Sequence, residues 1–172
     1  MTFARRFANQ AVARLAARWP ALARRLTDAY QPLESDTIPW ATLKKPLSEA
    51  RIALVTTAGI HHRHQAAFNM ADRNGDPSFR EIDGATIEND FRITHDYYDH
   101  RDAERDINIV FPIARLRELA AAGCVGSLAQ RHVSFMGHIV GPHVTTLQSR
   151  TAPEAAALLA SQAVDIVLLT PA

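Results

Sequence analysis

Cysteine is nearly absent from this 172-residue chain, where Cys124 stands alone. No internal disulfide, Cys-x-x-Cys redox pair or thiolate zinc site can form, and a reduced, cytoplasmic setting is the expectation. Glycine is sparse too. Its seven residues never fall into Gly-x-Gly-x-x-Gly or Walker spacing, which removes the nucleotide-binding signatures. No uninterrupted apolar run reaches the ~18 residues of a membrane-crossing helix, so no transmembrane segment is expected. An excess of one charge is also missing. Nineteen Lys+Arg against eighteen Asp+Glu leave +1, too balanced to draw the whole chain to a phosphate backbone, so nucleic acid is not an expected partner. What is present is 47% hydrophobic residues, enough for one globular domain that buries roughly 70% of its unfolded surface.

The charge balance hides a local bias. Residues 1–30 read as a basic amphipathic helix, with Arg5, Arg6, Arg14, Arg18, Arg24 and Arg25 and no acid before Asp28. Phe3, Phe7, Leu15, Trp19, Leu22 and Leu26 recur at three- and four-residue steps on one face, and Pro20 ends or kinks the helix. Three readings fit: a helix docked on the body or on a partner, a membrane-surface helix, or a transit peptide. Residues 31–50, with three prolines, read as an irregular connection.

From residue 51 to 172 the pattern is that of an α/β domain, with a mainly parallel sheet and flanking helices. Ile52–Gly59 reads as a buried strand entering a loop, and Ile107–Phe111 as a second one closed by Pro112. Ile113–Ala122 has helix-forming composition, with Gly123 where a C-terminal cap belongs. Thr151–Glu154 has capping-box spacing before a helix Ala155–Gln162, and Val164–Leu169 reads as a buried strand. That strand is followed by Thr170-Pro171-Ala172 without a polar tail or covering helix. The expectation is therefore a domain truncated at its C-terminal edge.

All eight histidines lie within residues 61–143. His61 follows the first strand and its Gly59 turn, where open α/β sheets assemble their sites, and it can act as acid or base near neutral pH. A solvated loop histidine is the plain alternative. His61, His62 and His64 also offer imidazole nitrogens to zinc or copper, although His-His-x-His lacks a helical zinc motif's fixed geometry, and no metal site is assigned. Around Asp90–Asp99, Arg92 offers a fork for a carboxylate, and His95 with Asp99 a base and its orienting group. Asp106 and Asn108 stand at the mouth of the second strand. Cys124, among Ala and Val at a helix end, is expected to be buried and inert.

Several segments together resemble one family: Ala53-Leu-Val-Thr-Thr-Ala-Gly-Ile-His61, Asp76-Pro-Ser-Phe-Arg-Glu-Ile82, Arg92-Ile-Thr-His95, Tyr98-Asp99, Asp106-Ile-Asn-Ile-Val-Phe-Pro112, Arg115-Leu116, Phe135-Met-Gly137 and Val164-Asp-Ile-Val-Leu-Leu-Thr-Pro171. The chain is similar, from about residue 40 onward, to selenoprotein B of the glycine/sarcosine/betaine and D-proline reductases. That resemblance implies an oxidoreductase subunit that cleaves the C–N bond of a small amine or amino-acid substrate. It implies other reductase subunits as partners, one of which carries a pyruvoyl group in some members, within an oligomer. No cofactor is expected in the chain itself. In the family a selenocysteine follows the Leu-Leu-Thr-Pro strand end, which places it immediately after Ala172; without it the 172-residue chain is expected to be inactive. Combined with the residue chemistry, the resemblance nominates His61, His95 and Asp106 as catalytic and Thr57, Gly59, Arg92 and Asn108 as substrate-binding. The other class left open is a non-catalytic small-molecule or metal-binding module on the same scaffold.

Overall fold

A computed structural model describes residues 3–28, 38, 41–87 and 90–172. Residues 31–37, 39 and 40 of the expected 31–50 connection lie outside the described residues, and Leu47–Glu49 within it forms a 3-10 turn. Two N-terminal helices, α1 (Phe3–Arg18) and α2 (Pro20–Thr27), are broken at Trp19 because Pro20 takes the first position of α2, where its missing N–H leaves no bond unmade. The body contains β1 (Arg51–Thr56), β2 (Ile60–His62), β3 (Arg80–Asp83), β4 (Phe91–Ile93), α3 (Arg101–Arg105), α4 (Ile113–Ala121), β5 (Ser127–Leu128), β6 (Arg131–Ser134), α5 (Pro142–Thr146), α6 (Ala152–Ser161) and β7 (Ile166–Thr170). No described helix is long and apolar enough to cross a membrane.

β1 is the centre of a five-stranded sheet. β7 runs parallel along one side of it, with Ile52 opposite Ile166 and Thr56 opposite Thr170. On the other side, β5 pairs with its start and β6 with its end, both parallel. β3 adds antiparallel to β6, and β2 and β4 form a separate antiparallel ribbon. Strand side chains alternate between faces, so the two sides of β1 feed two cores. Ile52 and Leu54 pack with Phe111, Ile113 and Leu116 of the α4 side, whereas Ala53 packs with Val133, Phe135, Ala155 and Leu159 of the α6 side. This is the expected helix-covered, mostly parallel sheet. β7 is its edge strand, with Leu169 68% exposed.

Three local expectations are corrected and a fourth is made specific. Residues 107–111 are not a strand: Ile107–Ile109 is a 3-10 turn in which the Asn108 N–H is held by the Asp106 side chain. The buried residues are Ile107, Val110 and Phe111 with Ile109 exposed, a three-and-four spacing that a short apolar run conceals. The second is Thr151–Glu154, which does not start a helix. The helical path begins at Pro142 and passes through a π-helical turn at Leu147–Thr151, so Thr151 already has helical backbone and caps nothing. The widened turn accommodates Pro153, whose missing N–H and ring would disrupt a regular α-helix. Third, Cys124 is exposed rather than buried. Gly123, at φ 72°, turns the chain at the end of α4, and the Cys124 N–H closes on the Leu119 carbonyl at 2.9 Å. The last concerns the expected docked helix. α1 does dock, but by its polar side: Arg6 and Gln10 reach Asp96 and Ala13 is buried, while Phe7, Leu15 and Trp19 face solvent.

Candidate active site at the strand ends

The carboxyl ends of β1, β4, β6 and β7 converge. The Thr57 N–H donates to the Thr170 carbonyl (3.1 Å), and the Ala172 N–H donates to Thr57 Oγ1 (3.1 Å). The Gly59 N–H reaches the Phe135 carbonyl (2.9 Å), and the Thr94 N–H reaches the Gly59 carbonyl (2.8 Å). Thr56 and Thr170 both donate their hydroxyls to the Val110 carbonyl at 2.8 Å, tying the two strand ends to one point. Gly59, at φ 71°, is required by both backbone and space, since a Cβ there would lie 2.4 Å from the Thr94 carbonyl oxygen. At Gly137, φ 84°, a Cβ would lie 2.5 Å from the Thr57 carbonyl oxygen and 3.1 Å from His95 Nε2. The missing side chain therefore lets His95 approach the end of β1.

His95 is buried. Its Nδ1 accepts the Tyr97 N–H at 3.1 Å, which leaves the proton on Nε2, the nitrogen turned toward Gly137. Burial, followed by the charges of His138 and His100, pulls its pKa down to about 4, so at neutral pH it is a neutral hydrogen-bond donor. The rings of Tyr97 and Tyr98 meet it edge-on. Tyr98 donates to the Ala58 carbonyl at 3.2 Å, and burial pushes its hydroxyl pKa up, keeping it protonated.

His61 is also buried, with both nitrogens engaged. Nδ1 lies 2.9 Å from the His62 carbonyl, which can only accept, so Nδ1 carries the proton and Nε2 accepts the Thr94 hydroxyl at 2.9 Å. His61 is directly opposite Arg92 in the β2–β4 ribbon, which puts them and Thr94 on one face, while Ile60, Phe91 and Ile93 on the other pack with the core. His62 turns away: its Nε2 accepts the Asp83 N–H at 3.1 Å, and its ring stacks on His64 and Phe91. Among the described residues no three His, Cys, Asp or Glu side chains gather as a metal ion requires.

The nominated residues thus fall into two neighbourhoods. Thr57, Gly59, His61 and His95 belong to the strand-end cluster. Arg92 and Asp106 line an adjoining cleft of ≈ 380 Å³ with Phe91, Glu104 and Arg105. Asp106 accepts both the backbone and side-chain N–H groups of Asn108, which lower its pKa, and Asn108 Oδ1 accepts the Ala114 N–H near the start of α4. The proposed His95–Asp99 pairing is not formed, because Asp99 is bound to Arg101. Gly137, Tyr98 and Thr170 lay within segments that carried the resemblance but were not nominated; a glycine after an apolar strand end was the available signal for Gly137. Cys124 precedes β5, which pairs with the start of β1, and so lies toward the opposite end of the sheet.

Comparison with known proteins agrees with this arrangement of motifs. The chain is 38% identical over 144 residues to the D-proline reductase subunit gamma of Acetoanaerobium sticklandii, which covers 84% of the chain and 57% of that protein. It is 31% identical over 138 residues to a glycine reductase complex component B subunit gamma of Carboxydothermus hydrogenoformans, covering 78% of the chain and 31% of the relative. It is 30% identical over 105 residues to a sarcosine reductase complex component B subunit beta of Peptoclostridium acidaminophilum, covering 59% and 24%. The chain therefore spans just over half the length of the first relative and a third or less of the others. No solved structure matches. The family model for glycine/sarcosine/betaine reductase selenoprotein B matches residues 8–172, and the chain belongs to that family.

Proposed function

We propose that the chain is part of a reductase subunit that breaks the C–N bond of glycine, sarcosine, betaine or D-proline type substrates, in the cytoplasm and with other subunits of the complex. The observation that carries this reading is the strand-end cluster: Thr57 Oγ1 accepts the Ala172 N–H, His95 Nε2 approaches Thr57 across Gly137, and the His61–Thr94 pair is joined to the same β1 exit through Gly59. The family's selenocysteine follows the Leu-Leu-Thr-Pro strand end, so codon 173 is its expected place. A selenol there would supply an ionised, strongly nucleophilic and reducing atom. The surroundings fit an anion, because they offer N–H and O–H donors, and the nearby Asp96 carboxylate is paired with Arg6.

The chain's own groups then have distinct tasks. Thr57 and Gly59 hold the floor of the site, with Gly59 keeping the β1 exit against Thr94. His95 directs a neutral N–H at the reacting region, where it stabilises charge developing on an oxygen or nitrogen without carrying charge itself. The His61–Thr94 pair acts as a relay: once His61 takes up a second proton at Nε2, that N–H donates to Thr94 Oγ1 as the Thr94 hydroxyl proton passes to the leaving amine. Arg92 binds the substrate carboxylate in the adjoining cleft, where Asp106, held by Asn108, faces the ammonium group. The overall change is two electrons and two protons from a dithiol, with one C–N bond lost and one C–H bond gained; glycine, sarcosine and betaine release an amine, whereas the ring of D-proline opens and the product keeps it. In members that need it, a partner subunit brings the pyruvoyl group.

Two measurements test this. The expected genomic reading is an in-frame UGA after codon 172 followed by a cysteine codon; a sense codon or a different stop removes the selenocysteine assignment. The full-length protein assembled with its partner subunits is then expected, in the presence of a dithiol, to release amine from glycine, sarcosine or betaine or to open the ring of D-proline, and His95→Ala is expected to lower kcat by ~100-fold. Unaltered turnover in His95→Ala and His61→Ala would remove both histidines from the chemistry.

A further inference from the structure

The N-terminal helices present a surface that the fold does not use. α1 meets the body through its polar side, with Arg6 and Gln10 on Asp96 and Ala13 buried. Helical periodicity then throws Phe7, Ala11, Leu15 and Arg18 to the opposite side. Phe7 is 64% exposed and Leu15 43%; Trp19, at the break before α2, is 59% exposed. Arg18 and Arg25 are exposed on the same two helices, whereas Arg14 lines a cleft with Tyr98, Asp99 and Glu104 of the body. A helix folded to cover its apolar stripe would dock with that stripe inward. This one docks by an ion pair and leaves two aromatic rings and a leucine in water, a surface that calls for a partner.

The chemistry of the surrounding residues narrows the partner. Residues 1–27 hold six arginines and no carboxylate, so the apolar stripe is rimmed by one sign of charge although the whole chain carries only +1. A partner must be apolar and anionic over the same few turns of helix. A bilayer containing acidic phospholipid offers both as continuous layers, with aromatic side chains seated at the headgroup boundary and arginines on the phosphates. We propose that α1 and α2 dock the protein on an anionic phospholipid surface, through Phe7, Leu15 and Trp19 together with Arg18 and Arg25. Docking leaves the Arg6–Asp96 attachment intact, so the membrane-bound helix stays tied to the segment that carries His95. The proposal is independent of the reaction above.

Sedimentation of the 172-residue chain with vesicles tests it. Binding is expected to phosphatidylcholine vesicles containing phosphatidylglycerol and not to phosphatidylcholine alone, and to weaken as salt is raised. In a Trp40→Phe background, emission from Trp19 is expected to shift to the blue on binding. Phe7→Asp and Leu15→Asp each reduce the partition coefficient more than tenfold, and Arg18→Gln and Arg25→Gln roughly fivefold each. These positions are exposed, and unchanged thermal melting confirms that each variant is folded. The proposal is overturned by absence of binding, by equal binding to both vesicle types, or by binding that Leu15→Asp leaves unaltered. It is equally overturned if the patch instead closes a dimer or holds another subunit that Leu15→Asp releases while vesicles do not bind.

Discussion

Removal of Arg6 should cost more stability than neutralising its partner, although Arg6 is the more exposed of the two. Asp96 has no exposed side-chain surface, whereas the Arg6 side chain is 47% exposed. The carboxylate receives Arg6 Nε at 2.9 Å, Arg6 Nη2 at 3.2 Å and Gln10 Nε2 at 3.2 Å. Arg6→Ala leaves a buried charge with one neutral donor, and breaking a fully buried pair in this way costs about 3–5 kcal/mol. Half-exposure of the guanidinium and the freedom of α1 to admit water bring the expectation to about 2 kcal/mol. Asp96→Asn removes the charge, keeps the shape and returns Arg6 to solvent, so about 1 kcal/mol is expected. A double-mutant cycle read by urea unfolding should return a coupling of ~1 kcal/mol or more, and Arg6→Ala should lower Tm by about 4–8 °C for a chain of this size. Additive single effects, or Asp96→Asn as the more damaging change, would show that α1 is not held by this pair.

Gly59→Ala and Gly123→Ala separate backbone strain from collision. Both glycines have φ near 70°, worth ~1–2 kcal/mol for alanine, but only at Gly59 does the new Cβ meet a carbonyl oxygen, at 2.4 Å, with nothing within 4 Å at Gly123. Gly59→Ala should therefore be the more destabilising by several kcal/mol on thermal melting, and equal losses would contradict the packing. Acid should destabilise the fold between about pH 6.5 and 4. The buried His95 and His132, each lowered to about 4, stay neutral in the native state, while the unfolded chain takes up both protons below pH 6.5. Their contribution is present above pH 6.5 and is lost as pH falls, by about 3 kcal/mol each. A stability profile flat across that window would refute the burial of these rings. Asn108→Ala should leave the Ala114 N–H without its acceptor, while Asp106 keeps the residue-108 backbone N–H, and so cost the ~1 kcal/mol of a lost cap, read as a lower Tm. An unchanged Tm would show that the cap is not formed.

The legible parts of the fold were those where local pattern and tertiary role coincide. Arg51–Thr56 and Ile166–Thr170 are apolar and β-branched because both lie side by side in the sheet, and Ile113–Ala121 followed by Gly123 is a helix with its stop. β6 was not legible. Its four residues are Arg131, His132, Val133 and Ser134, and its polar members are placed by tertiary needs that no periodicity reveals. His132 is fully buried, with Nδ1 accepting the Leu54 N–H at 3.0 Å where the interruption between β5 and β6 leaves no ladder partner. A side chain does the work of a backbone carbonyl there, so a histidine in the sequence stands for a sheet hydrogen bond.

The site divides along the same line. His61 and Gly59 could be placed because they follow a recognisable strand, and the carboxyl end of a strand has a known position in an open sheet. His95 belongs to the same cluster through long-range contacts: the Gly59–Thr94 hydrogen bond and the space left by Gly137, 42 residues further along the chain. No spacing rule joins these residues, because each lies at the exit of a different strand and the sheet alone sets their separation. For the same reason the sequence could not show that Asp106 and Asn108 stand at a turn and not at the mouth of a strand. With residues 107–109 folded as a turn, the same pair becomes its cap and the support for α4, one step removed from the strand-end cluster.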